Sequence, residues 1–134
     1  MTNKKLGLDY YKRAFIRFKL VNFFMQEEDY ADVVRVCQEV VELCQKAILI
    51  MIGINPPKWH DVIDIIIENR EKIPEHIFKE ILGLRKDTKW LRSQREISFY
   101  GSDDFIPTTE YSISDANKAI EIAQKFIKIT QNFI

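Results

Sequence analysis

The stretch that decides the fold runs from Asp29 to Met51 and reads DYADVVRVCQEVVELCQKAILIM. Its apolar side chains recur at alternating intervals of four and three residues, the spacing that places side chains on one face of an α-helix. Asp29 can cap the start of this helix, and Gly53, followed by Pro56 and Pro57, ends it. The stretch predicts a long amphipathic helix over residues 30–52. Its apolar positions are Val33, Cys37, Val40, Cys44, Ala47 and Met51.

The same spacing predicts four more helices, over residues 8–28, 61–72, 75–100 and 114–134, and Gly83 allows a bend in the helix over 75–100. Ser112 and Asp115 match a capping box ahead of the last of them. Pro107 is expected to exclude a helix from the loop that follows Gly101. No stretch alternates with a period of two for long enough to form a strand. The sequence therefore predicts an all-α protein with one domain over residues 1–134, a five-helix up-and-down bundle with a four-helix-bundle core plus a short helix.

Charge and hydropathy limit the kinds of partner that the chain can attract. Twenty basic residues balance twenty acidic residues, so no overall field draws the chain to nucleic acid, and any such affinity must come from a local patch. The longest apolar run, Ala47 to Ile54, is far shorter than the ~20 residues that a membrane span needs. The N-terminus lacks the apolar stretch of a signal peptide. We therefore expect a cytoplasmic protein with no membrane partner.

Short motifs for cofactors and metals are absent from the sequence. It contains no CxxC pair, no HExxH and no phosphate-cradling glycine loop, so we expect no cofactor and no metal. His60 and His76 each open a predicted helix, where capping alone can explain a polar side chain. Cys37 and Cys44 stand seven residues apart on one helix, roughly 10 Å along its axis, which is too far for a mutual disulfide. We expect them to be core thiols.

Two glutamates on the long helix are candidates for a buried or rim position. Glu42 falls just off the apolar stripe, three residues after Glu39, and a partly buried carboxylate requires a cation. Arg95 lies on the continued stripe of the helix predicted over 75–100 and can supply that cation. Lys46, four residues after Glu42, can do so as well. The sequence leaves both partners open.

A basic row follows the same predicted helix, close to several aromatic residues. Arginines beside aromatic rings are typical of RNA and nucleotide sites, because the guanidinium binds phosphate and the ring stacks on a base. A charged row on a helix is equally typical of a solvated face. The basic residues are Arg85, Lys89 and Arg92, and the aromatic ones are Trp90, Phe99 and Tyr100.

Four segments, in this order and spacing, together resemble the HEPN domains of prokaryotes, in particular the small stand-alone archaeal and bacterial members. The helix DYADVVRVCQEVVELCQKAIL resembles the family's tyrosine-led helix with its glutamates. GINPPKWHDV resembles its glycine, proline pair and histidine, and LRSQREISFYG resembles its arginine-bearing helix end. EYSISDANKAIEIAQKFI resembles its final helix. The resemblance implies a five-helix bundle, commonly a homodimer, often encoded beside a minimal nucleotidyltransferase with which it forms a toxin–antitoxin pair.

Active members of the family are metal-independent ribonucleases in which a histidine follows an arginine by four to six residues. Arg92 and Arg95 match that arginine, but Phe99 and Tyr100 stand where the histidine is expected. Phenylalanine cannot move a proton, and tyrosine, with an unperturbed pKa of about 10, is a poor base at neutral pH. The resemblance therefore implies a non-catalytic binding module for nucleotide, single-stranded RNA or a nucleotidyltransferase partner. Its binding residues would be Arg92, Arg95, Tyr100, Lys89 and Arg85, supported by Glu39, Glu42 and His60.

Two alternatives stay open beside that interpretation. The first is a degenerate but working endoribonuclease, in which Arg95 and Tyr100 are the catalytic candidates. The second is a purely structural or oligomerisation bundle, in which Arg95 pairs internally with Glu42 and the helix end only secures the fold.

Overall fold

The structure is a computed structural model that describes residues 1–58 and 62–134. His60, a predicted supporting residue, lies outside the described residues. Within those two ranges the chain forms helices and one isolated β-bridge between Ser102 and Phe105, and it forms no strand. The prediction of an all-α protein is confirmed.

The first three helices are α1 (Lys4–Phe18), α2 (Leu20–Gln26) and α3 (Tyr30–Met51). The prediction of one continuous helix over 8–28 is therefore wrong, because the structure has two helices there. At Lys19 the backbone N–H bonds to the carbonyl of Ile16, three residues back, so the regular helical hydrogen-bond ladder is interrupted there. The predicted cap of α3 is confirmed, because the Asp29 carboxylate accepts the N–H of Asp32.

The middle of the chain is divided more finely than predicted. It contains α4 (Val62–Glu68), a 3₁₀ turn (Arg70–Lys72), α5 (Glu75–Gly83), α6 (Arg85–Ser93) and α7 (Ile97–Tyr100). The helix predicted over 75–100 is interrupted twice. At Leu84 and again at Gln94 and Arg95, backbone N–H groups bond to carbonyls three residues back.

The chain ends with α8 (Pro107–Glu110), α9 (Ile113–Thr130) and a 3₁₀ turn (Gln131–Phe133). The expectation that Pro107 excludes a helix is wrong, because proline stands at the first position of α8, where its missing N–H is not needed. The capping box of α9 is confirmed by reciprocal bonds between Ser112 and Asp115. The predicted count of five helices is thus not matched by the described chain.

The core is built around α3, which packs chiefly against α1 and α9 and also contacts α2, α4, α6, α7 and α8. Its two cysteines are free and fully buried. Removal from water disfavours the thiolate and raises the pKa of Cys37 and of Cys44 to about 12. Because α3 is enclosed on several sides, some of its polar side chains lie where other helices meet it, and these positions define the candidate site.

Candidate functional site

Arg92 and Arg95 converge on one carboxylate of α3. The Glu42 side chain, 19% exposed, places Oε1 3.5 Å from Arg92 Nη1 and 3.8 Å from Arg95 Nη1. The side chains of Arg92 and Arg95 are more exposed than that of Glu42, at 32% and 45%. Of the two partners that the sequence offered to Glu42, the structure places Arg95 beside it, and it adds Arg92.

A third arginine, which the sequence analysis missed, completes this group. Arg35 on α3 donates a hydrogen bond from Nη1 to the backbone carbonyl of Arg95. Its guanidinium carbon lies 5.0 Å from the ring centre of Phe99, and its Nε lies 3.9 Å from the Glu39 carboxylate. The available signal was the spacing of Arg35, Glu39 and Glu42 at i, i+4 and i+7 on one helix face. We call Arg35, Arg92 and Arg95 the arginine corner.

Two aromatic rings stand at the outer edge of the arginine corner. Phe99 is 56% exposed and Tyr100 is 77% exposed. Their rings meet edge to face, with centres 4.8 Å apart and planes at 88°. Phe99 is engaged by Arg35, whereas the face of Tyr100 is open to solvent. Tyr100 is therefore available to stack on a ligand.

Gly101 turns the chain away immediately behind these rings. Its φ is +65°, a region that L side chains rarely adopt. A Cβ at this position would lie 2.7 Å from the Phe105 carbonyl oxygen and 2.7 Å from the Pro107 ring. Both the backbone angle and the space therefore require glycine, and the resulting turn leaves Tyr100 at the surface.

Two of the predicted binding residues, Arg85 and Lys89, pair with a different carboxylate. Asp64 on α4 accepts hydrogen bonds from Lys89 Nζ at 2.6 Å and from Arg85 Nε at 2.9 Å. These two bonds hold the pKa of Asp64 below its usual range. The structure thus divides the predicted basic row in two, with Arg85 and Lys89 joining α6 to α4 and Arg92 joining α6 to α3.

Beneath the pair of Glu42 and Arg92, the contact between α3 and α6 combines polar side chains with apolar Val41 and Leu91. Gln38, Gln45 and Thr88 are almost fully buried there and line a cavity of about 10 Å³ with Glu42 and Arg92. Within the described residues, Gln38 Oε1, Gln45 Nε2 and Thr88 Oγ1 have no hydrogen-bond partner. The cavity is about the size of one water molecule, so it is too small to admit a nucleobase. A ligand of the arginine corner must therefore bind on its outer side.

The hydrogen-bond donors of this site suit an anion. Three guanidinium groups lie beside the Glu39 and Glu42 carboxylates, and Asp32 acts electrostatically on Arg35, so a bound anion competes with these carboxylates for the guanidinium N–H groups. No cluster of histidine, cysteine, aspartate and glutamate that could hold a metal occurs in residues 1–58 and 62–134. Arginine binds phosphate with two parallel N–H groups, and this geometry suits a phosphodiester.

Helical packing around α3 defines an all-helical protein that exposes two arginines and two aromatic rings at one corner, near the ends of α6 and α7. The HEPN domain model matches residues 8–133, nearly the whole chain, and the chain belongs to this family. No curated protein and no solved structure matches it. The match confirms the family resemblance drawn from the four sequence segments.

Within the part of the chain that the structure describes, no helix combines the length and the apolar character that crossing a membrane requires.

Proposed function

We propose that this HEPN domain binds single-stranded RNA, or a nucleotide as its smallest unit, through the arginine corner and without cleaving it. The observation that carries the proposal is the convergence of Arg92 and Arg95 on one partly exposed surface beside the open ring of Tyr100. HEPN domains are commonly RNA-binding or ribonuclease-like, which agrees with this ligand class.

The looseness of the ion pairs supports phosphate binding. Charge-assisted N–H···O bonds are typically about 2.7–2.9 Å long. The distances from Glu42 to Arg92 and Arg95 are 3.5 and 3.8 Å, so neither pair has the geometry of a strong bond. Both guanidinium groups therefore keep N–H groups that can donate hydrogen bonds to phosphate oxygens. Glu42 then acts as a built-in anion that holds the arginines in place until a phosphate competes for them.

The exposed rings support a ligand that carries a base. Base stacking on an aromatic side chain contributes roughly 1–3 kcal/mol per base without demanding a particular sequence. Tyr100 is 77% exposed and lies next to Phe99, which Arg35 holds by a cation–π contact. We therefore assign phosphate contacts to Arg92 and Arg95 and a base contact to Tyr100.

The absence of cleavage is proposed from residue chemistry. Ribonuclease members of the family use a histidine at the position where this chain has Phe99 and Tyr100. An arginine can stabilise charge on phosphorus, but a group that titrates near neutral pH is required to move the proton of the 2′-hydroxyl.

The experiment is a titration of fluorescently labelled single-stranded RNA with the purified protein in EDTA, followed on a gel for cleavage. Arg92→Ala/Arg95→Ala should weaken binding by about tenfold or more, and Tyr100→Ala should weaken it by about fivefold or more. Arg13→Ala/Arg70→Ala is the matched control, because it removes two exposed arginines that are paired elsewhere with Asp9 and Glu75. We expect the control to bind like the unaltered protein and no variant to cleave.

Two outcomes would contradict this proposal. Cleavage that disappears in Arg92→Ala/Arg95→Ala would establish the ribonuclease alternative and make Tyr100 the next residue to replace. Equal loss of affinity in the matched control would mean that binding follows net charge alone and not the arginine corner.

A structural role for the same residues is the second candidate, favoured by the low exposure of Glu42 between two arginines. A double-mutant cycle on Glu42→Gln and Arg95→Gln separates the two functions. A coupling energy well above about 1 kcal/mol, with RNA affinity unchanged in all variants, would favour the structural pair. We expect a smaller coupling and a loss of RNA affinity in Arg95→Gln.

The family resemblance also supports proposals about partners and location. We propose a cytoplasmic protein that pairs with a second copy of itself and with a minimal nucleotidyltransferase in a toxin–antitoxin-like complex. On this chain, α1 and α2 leave a run of large apolar side chains at the surface. Light scattering over a range of protein concentrations tests the homodimer, and a monomer at every concentration would contradict it. The exposed side chains are Leu6, Leu8, Phe15, Ile16, Leu20 and Phe23, each 41–58% exposed.

A further inference from the structure

A second recess lies between α5 and α9 and shares no residue with the arginine corner. Its volume is about 570 Å³, within the range of roughly 300–1,000 Å³ that is typical of small-molecule sites. Buried Ile77 and Leu84 from one side and Ile129 from the other form its apolar floor. We call it the α5–α9 groove.

The glycine in its wall keeps this groove open. Gly83 is the last residue of α5, and a Cβ added there would meet no atom within 4 Å. Unlike Gly101, it does not adopt a positive φ. Its lack of a side chain is therefore required neither by the backbone nor by close packing, and it leaves free volume directly in the groove.

Lysines dominate the rim of the α5–α9 groove. Lys79, Lys125 and Lys128 line it, against Glu80 as the one carboxylate among its lining residues. Lys125 is compensated by Glu121 at 2.9 Å. In residues 1–58 and 62–134, no carboxylate lies within ion-pair distance of Lys79 or Lys128. Glu75 acts electrostatically on Lys79 without forming an ion pair with it. Both ammonium groups therefore keep N–H donors free above the apolar floor.

We propose that the α5–α9 groove binds an amphipathic anion, a small molecule with an apolar body and one anionic head group. The body lies on Ile77, Leu84 and Ile129, where contact with apolar side chains favours its removal from water. The head group lies between Lys79 and Lys128, whose ammonium groups attract its negative charge. The head can be a carboxylate or a phosphate, since both bind ammonium groups. This site is independent of RNA binding at the arginine corner.

The probes are decanoate and decyl phosphate, each below its micellar concentration, and the uncharged decanol below its solubility limit, all titrated by isothermal calorimetry. Decanoate and decyl phosphate should bind about tenfold more tightly than decanol, because the two exposed lysines each contribute a modest charge interaction. Whichever of the two anions binds more tightly identifies the head group. Equal affinity for all three probes would overturn the proposal, because a site that ignores the head group is only an apolar surface.

Two pairs of variants locate the binding. Gly83→Leu should abolish decanoate binding by filling the groove, while Gly83→Ala, which changes the helix in the same way with a smaller side chain, should largely retain it. Lys79→Gln/Lys128→Gln should weaken decanoate about tenfold and leave decanol unchanged. Lys12→Gln/Lys19→Gln removes the same charge from α1 and the junction with α2, beside exposed apolar side chains, and should have no effect.

Three further results would overturn the proposal of a site in the α5–α9 groove. Decanoate binding that survives Gly83→Leu in a protein with an unchanged circular dichroism spectrum would place the ligand elsewhere. Equal weakening by Lys12→Gln/Lys19→Gln would show that the anion follows net charge or the α1–α2 surface. No binding of either anion up to roughly 1 mM, judged both by heat and by a shift of the thermal unfolding midpoint, would also overturn the proposal.

Discussion

At the scale of single residues, Gly101 and Gly83 show how differently two glycines serve one chain. Gly101 holds a φ of +65° against a wall formed by Phe105 and Pro107, whereas Gly83 has ordinary helical backbone and free space. The first fixes the turn behind Tyr100, and the second leaves a groove open. Sequence alone distinguishes neither role, because the wall around Gly101 comes from residues that fold back onto it.

We predict that Gly101→Ala lowers the free energy of unfolding by about 2 kcal/mol, since the positive φ and the 2.7 Å contacts both oppose a Cβ. Gly83→Ala, the matched control, should raise it by up to about 1 kcal/mol, because alanine favours a helix. Urea denaturation measures both. Equal stability of the two variants would show that the turn at Gly101 adapts to a side chain.

At the scale of elements, the starts of α3 and α9 were predictable, whereas of the helix breaks only the one beside Gly83 was foreseen, as a bend. Asp29 and Ser112 are local capping signals, and both caps form as predicted. The interruptions at Lys19 and around Arg95 occur without proline or glycine, so packing against α3 and not local preference decides them. For the same reason Arg35 escaped prediction, because its role depends on where α7 packs against α3.

The two helix starts also differ in electrostatics. Asp29 caps α3 with Asp32 in its first turn, and the hydrogen bond between their side chains, with burial and the Asp29 charge, raises the pKa of Asp32 to about 6. Asp32 is therefore easier to protonate in the folded chain than its usual value of 3.8 implies. Protonation of Asp32 therefore contributes to the stability of the folded chain. This contribution is present in full below pH 3.8 and is lost as the pH rises through about 6.

We predict that Asp32→Asn stabilises the protein at pH 7 and loses this advantage at about pH 4, because asparagine does not ionise beside Asp29. Asp115→Asn is the control at the matching position of α9, where the carboxylate accepts the N–H of Ser112. It should destabilise the protein at pH 7. Urea titrations at several pH values measure both, and a difference between Asp32→Asn and the unaltered protein that does not vary with pH would refute the prediction.

At the scale of the whole molecule, the cancelled charges make local patches decisive. Twenty basic and twenty acidic residues leave no overall attraction for RNA. The sequence identified Arg92 and Arg95 through their spacing and family resemblance, but it could not show that Asp64 engages Arg85 and Lys89. The pairing partners lie on helices far apart in the chain, and only the folded arrangement brings them together.

We predict a shallow salt dependence for RNA binding. The two phosphate contacts assigned to Arg92 and Arg95 give a slope of about −1.4 in log affinity against log salt, at roughly 0.7 per contact for single strands. Arg92→Ala/Arg95→Ala should reduce that slope by about 1.4. Fluorescence anisotropy over a range of salt concentrations measures it. A slope steeper than about −4 would indicate that another basic surface, such as α1, carries the binding.

The interruption between α6 and α7 has a consequence for how sequences of this kind can diverge. Residues 94–96 form a turn, not a continuous helix, between the arginines and the aromatic pair. In an uninterrupted helix, one inserted residue rotates everything after it by about 100°. Across a turn, an insertion or deletion can be absorbed locally, while Arg35 still holds the backbone at Arg95. Related chains can therefore vary the number of residues between arginine and the next functional side chain and keep the same corner.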